Sequence, residues 1–436
     1  MSQSSDPDHF FQTTDSLETA SRRAAKSKNN HGNPIRLKSK ILALLADPSS
    51  ENHVYVAEAA GTARRVSLEP KNPKPTSALF TGATTPLTSL ALFIPPAEVP
   101  KTLFAGSWNK SIWSWDVRTR KAGVRYRGHK DFVKCVLCVR IDKTDVLISG
   151  GADSEIRIWD IDSGSCLQVL RGHTRGVQAL AIDPVVDEDV EGGEENGKLA
   201  EQEKQGKKWQ SVILFSTGSD RSILRWVCSE EPPCASTPSP HIATAILPAQ
   251  DPPLAPHETT ITSLSFHPKT YDLWTTSLDN SAKCLSREQN WKADTTLSHK
   301  DYVRCLAISK DGRYIFTGGR EEDVIVWNAD SGSERGRWVG HWDDITGLIT
   351  IGSDKVVSAS IDGTIRVWSC AEKDLAKLGL ADEDEEEAGG AGTVHEAEED
   401  KGVKREGECV SEMGGGRDGL TEEEERELAE LMDDDD

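Results

Sequence analysis

A segment that closes on a tryptophan recurs along this chain and constrains its fold more than any single residue does. Neighbouring copies lie about 41 to 44 residues apart where no insertion intervenes. The clearest copy, residues 147–160, alternates apolar and polar residues around an aspartate, and Gly128-His129 precedes it. A unit of this length cannot bury its apolar face alone, so the copies are expected to stack on one another. The five closing tryptophans are Trp115, Trp159, Trp226, Trp327 and Trp368.

This pattern resembles the WD-repeat β-propeller family over roughly residues 35–370. In that family each repeat forms one four-stranded blade of a closed ring. The resemblance predicts an all-β fold with seven blades, although blades one and five lack the closing tryptophan. The segment Ile35–Lys38 is expected to serve as the outer strand of the last blade, because joining both chain ends in one sheet removes exposed strand edges.

Composition divides the chain into a propeller with polar segments before, within and after it. Residues 34–370 carry the repeats. Residues 1–33 are polar, with a basic cluster at positions 22–28, and are expected to form a disordered arm. Within the propeller, residues 185–208 are acidic and residues 229–256 are rich in proline and serine. Neither insertion has an apolar period, so both are predicted to be surface loops.

Residues 371–436 hold nearly all of the chain's net charge of −21, because they carry 26 acidic and only 7 basic side chains. We expect a disordered acidic tail. Within it, Thr421 followed by Glu422–Glu425 is typical of a capped helix start and predicts a short helix over residues 421–432. A basic client, such as a ribosomal protein or a histone, is one candidate partner for this tail, and an inert solubilising role is the alternative.

The sequence also restricts where the protein works. It contains no run of 18 apolar residues, and its N-terminus lacks the apolar core of a secretion signal. Nine cysteines in 436 residues are too sparse for a disulfide framework. We therefore expect an intracellular protein of the nucleus, the cytoplasm or both, without membrane attachment.

The resemblance implies a hydrogen-bonded set of four residues inside each well-kept blade. In the family, an aspartate in a tight turn binds the histidine before the first strand. That histidine reaches a serine or threonine on the second strand, whose hydroxyl accepts the indole N–H of the closing tryptophan. Buried imidazole and indole groups need such partners. The predicted sets are His129, Ser149, Asp153 and Trp159 in blade three; His173, Ser216, Asp220 and Trp226 in blade four; and His341, Ser358, Asp362 and Trp368 in blade seven.

Histidine, aspartate and serine together also form hydrolase triads. Here the grouping repeats from blade to blade, and an enzyme does not need several copies of its active site, so we expect no catalytic residues. Cys135 and Cys138 have metal-like spacing, but no second ligand pair lies at a matching distance. The sequence therefore predicts neither a metal nor a cofactor.

Several blades depart from the pattern. Blade two has Asn109 in place of the aspartate, Ala105 in place of the serine, and no histidine upstream. Blade five has Leu285 at the tryptophan position, and blade six has Glu321 at the aspartate position. Blades one and two lack the most members of the set, so we expect them to be the softest part of the ring.

The resemblance further implies a partner-binding face. In the family this upper face is lined by the residue before the turn aspartate and by the residues three and five positions after the histidine. Aromatic and arginine side chains, which are enriched at binding hot spots, occupy several of these positions. We expect an acidic or phosphorylated protein segment to bind there. The candidate residues are Trp108, Phe132, Lys134, Tyr302, Arg304 and Arg320.

The favoured function is that of a non-enzymatic scaffold for protein–protein interactions in an intracellular complex. Trp115-Asp116-Val117-Arg118 resembles the motif with which some WD-repeat proteins dock as substrate receptors on cullin-type ubiquitin ligases, which makes Arg118 a second candidate site. The acidic tail suggests a third function, as an escort for a basic client. Direct nucleic-acid binding is disfavoured, because the propeller is near neutral and the tail repels phosphates.

Overall fold

The strands of this chain form a closed ring of seven four-stranded antiparallel sheets. Each sheet contacts the next one in chain order, and the seventh contacts the first. The protein is therefore a seven-bladed β-propeller, as the sequence predicts. The computed structural model describes residues 14–69, 78–95, 101–141, 144–185, 212–231, 241–246, 254–376 and 378.

Almost all of the described elements are strands of the blades. The chain enters through α1 (Thr14–Lys26) and β1 (Ile35–Arg36). Blade one comprises β2 (Ile41–Ala46), β3 (His53–Glu58), β4 (Ala63–Ser67) and β5 (Ala78–Phe80). Blade two comprises β6 (Leu87–Phe93), β7 (Thr102–Ser107), β8 (Ser111–Asp116) and β9 (Tyr126–Arg127). Blade three comprises β10 (Val133–Ile141), β11 (Thr144–Gly151), β12 (Glu155–Asp160) and β13 (Cys166–Arg171).

The second half of the ring repeats this arrangement. Blade four comprises β14 (Val177–Ile182), β15 (Val212–Gly218), β16 (Ile223–Glu231) and β17 (His241–Ile246). Blade five comprises β18 (Ile261–Phe266), β19 (Leu273–Ser277), β20 (Ser281–Ser286) and β21 (Lys292–Ser298). Blade six comprises β22 (Val303–Ile308), β23 (Tyr314–Gly319), β24 (Val324–Asn328) and β25 (Glu334–Trp338). Blade seven comprises β26 (Ile345–Ile351), β27 (Lys355–Ser360) and β28 (Thr364–Ser369), together with β1.

The ring closes through β1, which pairs with β28 so that Ile35 lies opposite Ile365 and Arg36 opposite Thr364. This confirms that the segment beginning at Ile35 supplies the outer strand of the last blade, although the strand is two residues long rather than four. Both ends of the propeller thereby share one sheet, and the ring has no open edge at the junction.

The core lies between adjacent blades rather than within any one of them. Tyr126 of blade two packs edge-on against Trp159 of blade three, with ring centroids 6.0 Å apart. Both side chains belong to one buried cluster that also contains Phe104 and Leu147. Burial of apolar area is the main stabilising term in such a fold. A single blade would expose these faces, so each blade depends on its neighbours.

The N-terminal arm is not wholly disordered, which corrects the expectation for residues 1–33. Residues Thr14–Lys26 form α1, and residues 35–36 join the last blade. The helix carries alanines at positions 20, 24 and 25, which have a high helix propensity. It also carries cations in its last turn, where they interact favourably with the negative end of the helix dipole. Residues 1–13 lie outside the described residues.

Two further boundaries differ from the sequence prediction. The proline-rich stretch 229–256 contains the end of β16 and all of β17, whose residues pair from Trp226–Ile246 to Glu231–His241. The alternating run at 241–246 contains β-branched residues that suit the outer strand of blade four. The tail does not begin at residue 371, because residues 372–376 form a helical turn that buries Leu375 against the core of blades six and seven.

The remaining predicted segments lie outside the described residues. They are most of the acidic insertion 185–208, the tail beyond residue 378, and the short helix expected at 421–432. Within the described part of the chain, the only long helix is α1, and it is too short and too polar to cross a bilayer.

Candidate binding face

Antiparallel connections bring the same two segments of every blade to one end of the ring. The loop before the first strand and the turn between the second and third strands emerge together, because the second strand runs back toward the start of the first. We call this end the upper face and the opposite end the lower face. Backbone hydrogen bonds join the two segments, as between Ala152 N and Phe132 O at 2.7 Å and between Arg320 N and Tyr302 O at 3.2 Å.

The hydrogen-bonded set predicted for blade three is present beneath this face. His129 Nδ1 lies 3.0 Å from a carboxylate oxygen of Asp153, and His129 Nε2 lies 2.7 Å from Ser149 Oγ. The indole of Trp159 donates to the same Ser149 Oγ at 2.8 Å. Because a carboxylate only accepts, Nδ1 carries the imidazole proton and Nε2 accepts the serine hydroxyl. The set therefore ties the upper loop, the upper turn and two strands together.

Blades four and seven repeat this geometry closely. In blade four, His173 lies 3.0 Å from Asp220 and 2.8 Å from Ser216, and Trp226 donates to Ser216 at 2.8 Å. In blade seven, His341 lies 3.0 Å from Asp362 and 2.7 Å from Ser358, and Trp368 donates to Ser358 at 2.9 Å.

The electrostatics of these sets fit a structural role. Burial raises the pKa of Asp153, but hydrogen bonds from His129 and the backbone N–H of Lys130 outweigh burial, and the net pKa is lowered. In blade seven, burial lowers the pKa of His341 although Asp362 opposes that shift. The serine hydroxyls are fully buried and already engaged. A hydroxyl held in this way cannot reach a substrate as a nucleophile.

The irregular blades each change one or more members of the hydrogen-bonded set. In blade six, His299 Nδ1 lies 3.5 Å from Glu321, while Trp327 donates to Thr317 at 2.7 Å. In blade five, His257 binds Asp279 at 2.9 Å and Thr275 at 2.8 Å without any tryptophan. In blade two, no such set forms, and the indole of Trp115 donates to the backbone carbonyl of Thr81 at 2.8 Å.

Two of the predicted partner-binding residues form an exposed aromatic patch on blades two and three. Trp108 is 47% exposed and Phe132 is 38% exposed. Their rings stack with centroids 5.3 Å apart and planes 21° apart. Lys134 follows Phe132 by two residues in β10 and is partly exposed. We call Trp108 and Phe132 the aromatic patch.

Three further predicted residues form an arginine patch on blade six. The guanidinium groups of Arg304 and Arg320 lie over the ring of Tyr302, at 5.6 and 5.5 Å from its centroid. The Tyr302 hydroxyl donates to Asp344 at 2.7 Å, and this carboxylate also lies 3.7 Å from Arg304. Arg320 lies 3.7 Å from Asp301. We call Tyr302, Arg304 and Arg320 the arginine patch.

The structure places these residues on one face but in two separate patches. The ring follows chain order, so blades four and five separate blade three from blade six on one side, and blades one and seven separate blade two from blade six on the other. The reason is that positions which are equivalent in different repeats are spread around the ring. The upper face therefore carries two patches, on opposite sides of the ring.

Arg118 lies on the other end of the molecule. It belongs to the turn between β8 and β9, which emerges at the lower face, and its side chain is exposed. Asp116 shapes this turn, because its carboxylate accepts the backbone N–H of Thr119 at 2.6 Å. The same bond lowers the pKa of Asp116.

Sequence reasoning missed an acidic cluster on the upper face that α1 covers. The side chain of Glu322 has no solvent exposure, and Arg22, Arg23 and Lys26 approach it to 3.2, 3.2 and 3.3 Å. Lys26 also lies 3.1 Å from Asp323, whose pKa is raised by burial more than Lys26 lowers it. The run Glu321-Glu322-Asp323 in the turn of blade six was the available sequence signal.

The described residues contain no metal-binding arrangement, since no three histidine, cysteine, aspartate or glutamate side chains among them converge as such a site requires. Cys135 is buried and lies opposite Gly150 in the sheet of blade three, where it packs as a small apolar residue.

Comparison with known proteins identifies repeats of a known kind in this chain. The model of the WD domain, G-beta repeat, matches residues 121–160, 291–328 and 332–369, which fall in blades two to three, five to six and six to seven. The chain therefore carries WD repeats, and they lie in a seven-bladed β-propeller. WD-repeat propellers generally mediate protein–protein interactions and generally act without catalysing reactions.

Several proteins are similar to this WD-repeat chain over much of its length. An uncharacterised WD repeat-containing protein of Schizosaccharomyces pombe is 26% identical, over 84% of this chain and 89% of its own. The nuclear distribution protein PAC1 of Arthroderma otae is 23% identical over 50% of this chain and 44% of its own. The WD40 β-propeller domain of Doa1 superimposes with a TM-score of 0.56 at 15% identity, over 79% of this chain and 98% of that domain. That last likeness concerns the fold alone.

Proposed function

We propose that this protein is a non-enzymatic scaffold that holds partner proteins on the upper face of its propeller. The observation that carries the proposal is the aromatic patch. Two stacked rings that are 47% and 38% exposed gain apolar contact only when a partner covers them. Tryptophan is also among the residues that most often dominate binding energy at interfaces.

The arginine patch supplies the charge preference of the proposal. Arg304 and Arg320 are each held over Tyr302, so their guanidinium groups are pre-positioned while their side chains remain 41% and 57% exposed. Their contacts with Asp344 and Asp301 are 3.7 Å long and leave other N–H donors open. Guanidinium forks pair well with carboxylates and phosphates. An acidic or phosphorylated segment therefore fits this side of the face.

The test is affinity purification with mass spectrometry on four full-length forms. They are the unchanged chain, Trp108→Ala with Phe132→Ala, Lys134→Ala with Arg304→Ala and Arg320→Ala, and the control Ile94→Ala. Ile94 is 41% exposed and follows β6, so it lies on the lower face. Partners should be lost from both upper-face variants and kept by the control. Recovery of the same partners by all four forms would remove the proposal.

A second candidate function is that of a substrate receptor for a cullin-type ubiquitin ligase. It is favoured by the exposure of Arg118 on the lower face, which leaves the upper face free to hold a substrate at the same time. Arg118→Ala should lose the ligase adaptor in a pull-down, whereas Lys121→Ala, an exposed cation in the same turn, should keep it. Retention of the adaptor by both variants would exclude this function.

Two further proposals concern the acidic tail, which lies outside the described residues, and the location of the protein in the cell. The first is an acidic tail that escorts a basic client, for which deleting residues 380–436 should weaken client binding. The second is a location inside the cell, in the nucleus, the cytoplasm or both. Fluorescence microscopy of the tagged chain measures the second directly.

A further inference from the structure

The contact between α1 and blade six is made by charge rather than by apolar packing. The only large apolar side chain described in α1, Leu17, is 50% exposed, and Ala20, Ala24 and Ala25 are exposed or partly exposed. The attachment consists instead of Arg22, Arg23 and Lys26, facing an acidic pocket that we define as Glu322, Asp323 and Asp343. The side chains of Arg22, Arg23 and Lys26 remain 59%, 35% and 20% exposed over the buried Glu322, so water and salt reach these ion pairs and screen them. Such a helix can detach without unfolding the propeller.

The acidic pocket is not a property of the repeat. Glu322 follows the turn residue Glu321 and has a φ of 67°. The residue after the turn has a positive φ in the other blades as well, but none of these residues is acidic. They are Gly61, Lys110, Ser154, Arg221, Asn280 and Gly363. The carboxylate of blade six is therefore additional to what the fold requires of this turn.

The pocket lies on the upper face between blades six and seven. Glu322 and Asp323 belong to the turn between β23 and β24, and Asp343 belongs to the loop before β26. Arg23 bridges the two blades, because it lies 3.2 Å from Glu322 and 3.3 Å from Asp343. A basic helix at this place therefore contacts blades six and seven at the same time.

The chain after α1 is anchored independently of the helix. Asn29 donates to Gly340 O at 2.9 Å and accepts from Arg366 at 2.7 Å. Val367 N donates to Gly32 O at 2.8 Å. Detachment of α1 therefore leaves its C-terminal end fixed beside the pocket, with residues 27–28 as the hinge. A ligand tethered so closely has an effective concentration on the order of millimolar.

We propose that the acidic pocket is a docking site for a basic helical segment of a partner protein, and that α1 occupies this site in cis as a competitor. The partner segment carries the charge pattern of α1, two adjacent arginines followed by a lysine three residues after the second. This inference goes beyond the scaffold function and does not depend on the aromatic or arginine patches. Under this proposal α1 acts as a gate, because a partner must outcompete the tethered helix before it binds the acidic pocket.

The first test uses a fluorescent peptide with the sequence of residues 14–31 and the full-length chain. In the opened variant, Arg22→Ala with Arg23→Ala and Lys26→Ala, the cis ligand loses its charge. The peptide should bind the opened variant at least about tenfold more tightly than the unchanged chain, because it no longer competes with a tethered helix. Adding Glu322→Gln, Asp323→Asn and Asp343→Asn to the opened variant should remove that gain.

Two controls separate a specific site from general attraction between a cationic peptide and a chain of net charge −21. Lys28→Ala removes a cation of the hinge that has no ion pair among the described residues, and this variant should bind the peptide as weakly as the unchanged chain does. A scrambled peptide of the same composition should bind the opened variant no more tightly than the unchanged chain. Equal affinity of the original peptide for the unchanged chain and the opened variant would overturn the proposal, and so would equal binding of the scrambled peptide.

A second measurement needs no substitution. Hydrogen exchange of the amides of α1 is followed in the unchanged chain while an isotopically labelled peptide of residues 14–31 is added in excess. Displacement of α1 should speed exchange at Leu17–Lys26 and leave Ile35–Arg36 protected by the last blade. If exchange in α1 does not change when the peptide saturates, the helix is a fixed part of the fold and the proposal is wrong.

Discussion

Blades two and three bury a tryptophan at the same place in the repeat, yet they satisfy its indole in different ways. Trp115 and Trp159 have exposures of 0% and 1%. The N–H of Trp159 donates to Ser149, which is also bound to His129. The N–H of Trp115 donates to the backbone carbonyl of Thr81. The shared requirement is that a buried donor finds an acceptor, and either a side chain or the backbone can provide one.

This difference separates what the architecture needs from what strengthens it. Every blade needs apolar faces that pack against the next blade, and blade two has them. The side-chain set is an additional connection between the upper loop and the upper turn. Blade two replaces it with a shorter bridge, in which Thr85 and Ser107 share a hydrogen bond of 2.7 Å and Ser107 donates to Pro86 O at 3.2 Å. We expect the two blades to respond differently to the loss of equivalent residues.

The largest difference is expected at the turn residue. Asp153→Ala removes the acceptor for His129 and for the backbone N–H of Lys130, and should lower the free energy of unfolding by about 3 kcal/mol. Asn109→Ala removes an acceptor for Ser111 alone, and should cost about 1 kcal/mol. Urea denaturation of both variants measures the two values. Equal costs would mean that the set of blade three adds nothing beyond a local turn bond.

The next effect is an exchange at the hydroxyl position. Ser149→Ala leaves the indole of Trp159 and one nitrogen of His129 without partners, and should cost about 2 kcal/mol. The reverse change in blade two, Ala105→Ser, buries a hydroxyl beside an indole that already binds Thr81, and should cost about 1 kcal/mol. If Ala105→Ser stabilised the protein in the same denaturation assay, blade two would be an incomplete copy of blade three rather than an alternative solution.

A smaller difference should appear in the unchanged protein. Backbone amides of blades one and two should exchange hydrogen faster than those of blades three and seven. The corresponding difference in opening free energy is on the order of 1 kcal/mol, because each hydrogen bond of the set contributes about that much net and blade two has replacement bonds. Exchange followed by mass spectrometry reports each blade separately. Uniform protection around the ring would show that packing between blades, and not the set, controls local opening.

The ring and its sets were predictable because each is encoded within one repeat. Ser149 and Trp159 are 10 residues apart, and the same offset recurs in blades four and seven, so a local pattern reports a tertiary contact. Closure by Ile35 was predictable for a related reason, since a ring must satisfy the edge of its last sheet. The repeat supplies the constraint that an isolated sequence motif lacks.

The docking of α1 was not predictable in this way. Arg22 and Glu322 are 300 residues apart, and neither belongs to a repeated pattern. The helix itself had a local signal, because Glu18 follows Asp15 by three residues and cations fill the last turn. The candidate partner-binding residues lie at the expected positions of their own blades, but the distance between them depends on the ring as a whole. Sequence offsets alone do not carry that distance.

The smallest predicted effect is a loss of stability in mild acid, and it should differ between the blades. Burial lowers the pKa of His257 and His341 below the ordinary value of 6.5, although Asp279 and Asp362 oppose the shift. These imidazoles are therefore neutral in the folded protein, while the unfolded chain takes up protons near pH 6.5. The stability that they contribute is complete above that pH and decreases as the pH falls through the folded pKa values. The turn aspartates, whose pKa values are also lowered, lose their contribution only below about pH 3.8.

Blade two has no histidine at this position, so mild acid should weaken blades five and seven and leave blade two unchanged. Urea midpoints measured from about pH 7.5 to about pH 5.5 should decline in the unchanged chain. The decline should flatten in the combined variant His257→Gln with His341→Gln, which starts from a lower stability because glutamine does not reproduce both imidazole bonds. An equally steep decline in that variant would assign the acid sensitivity to other groups. The stability that the hydrogen-bonded sets contribute would then be independent of pH in this range.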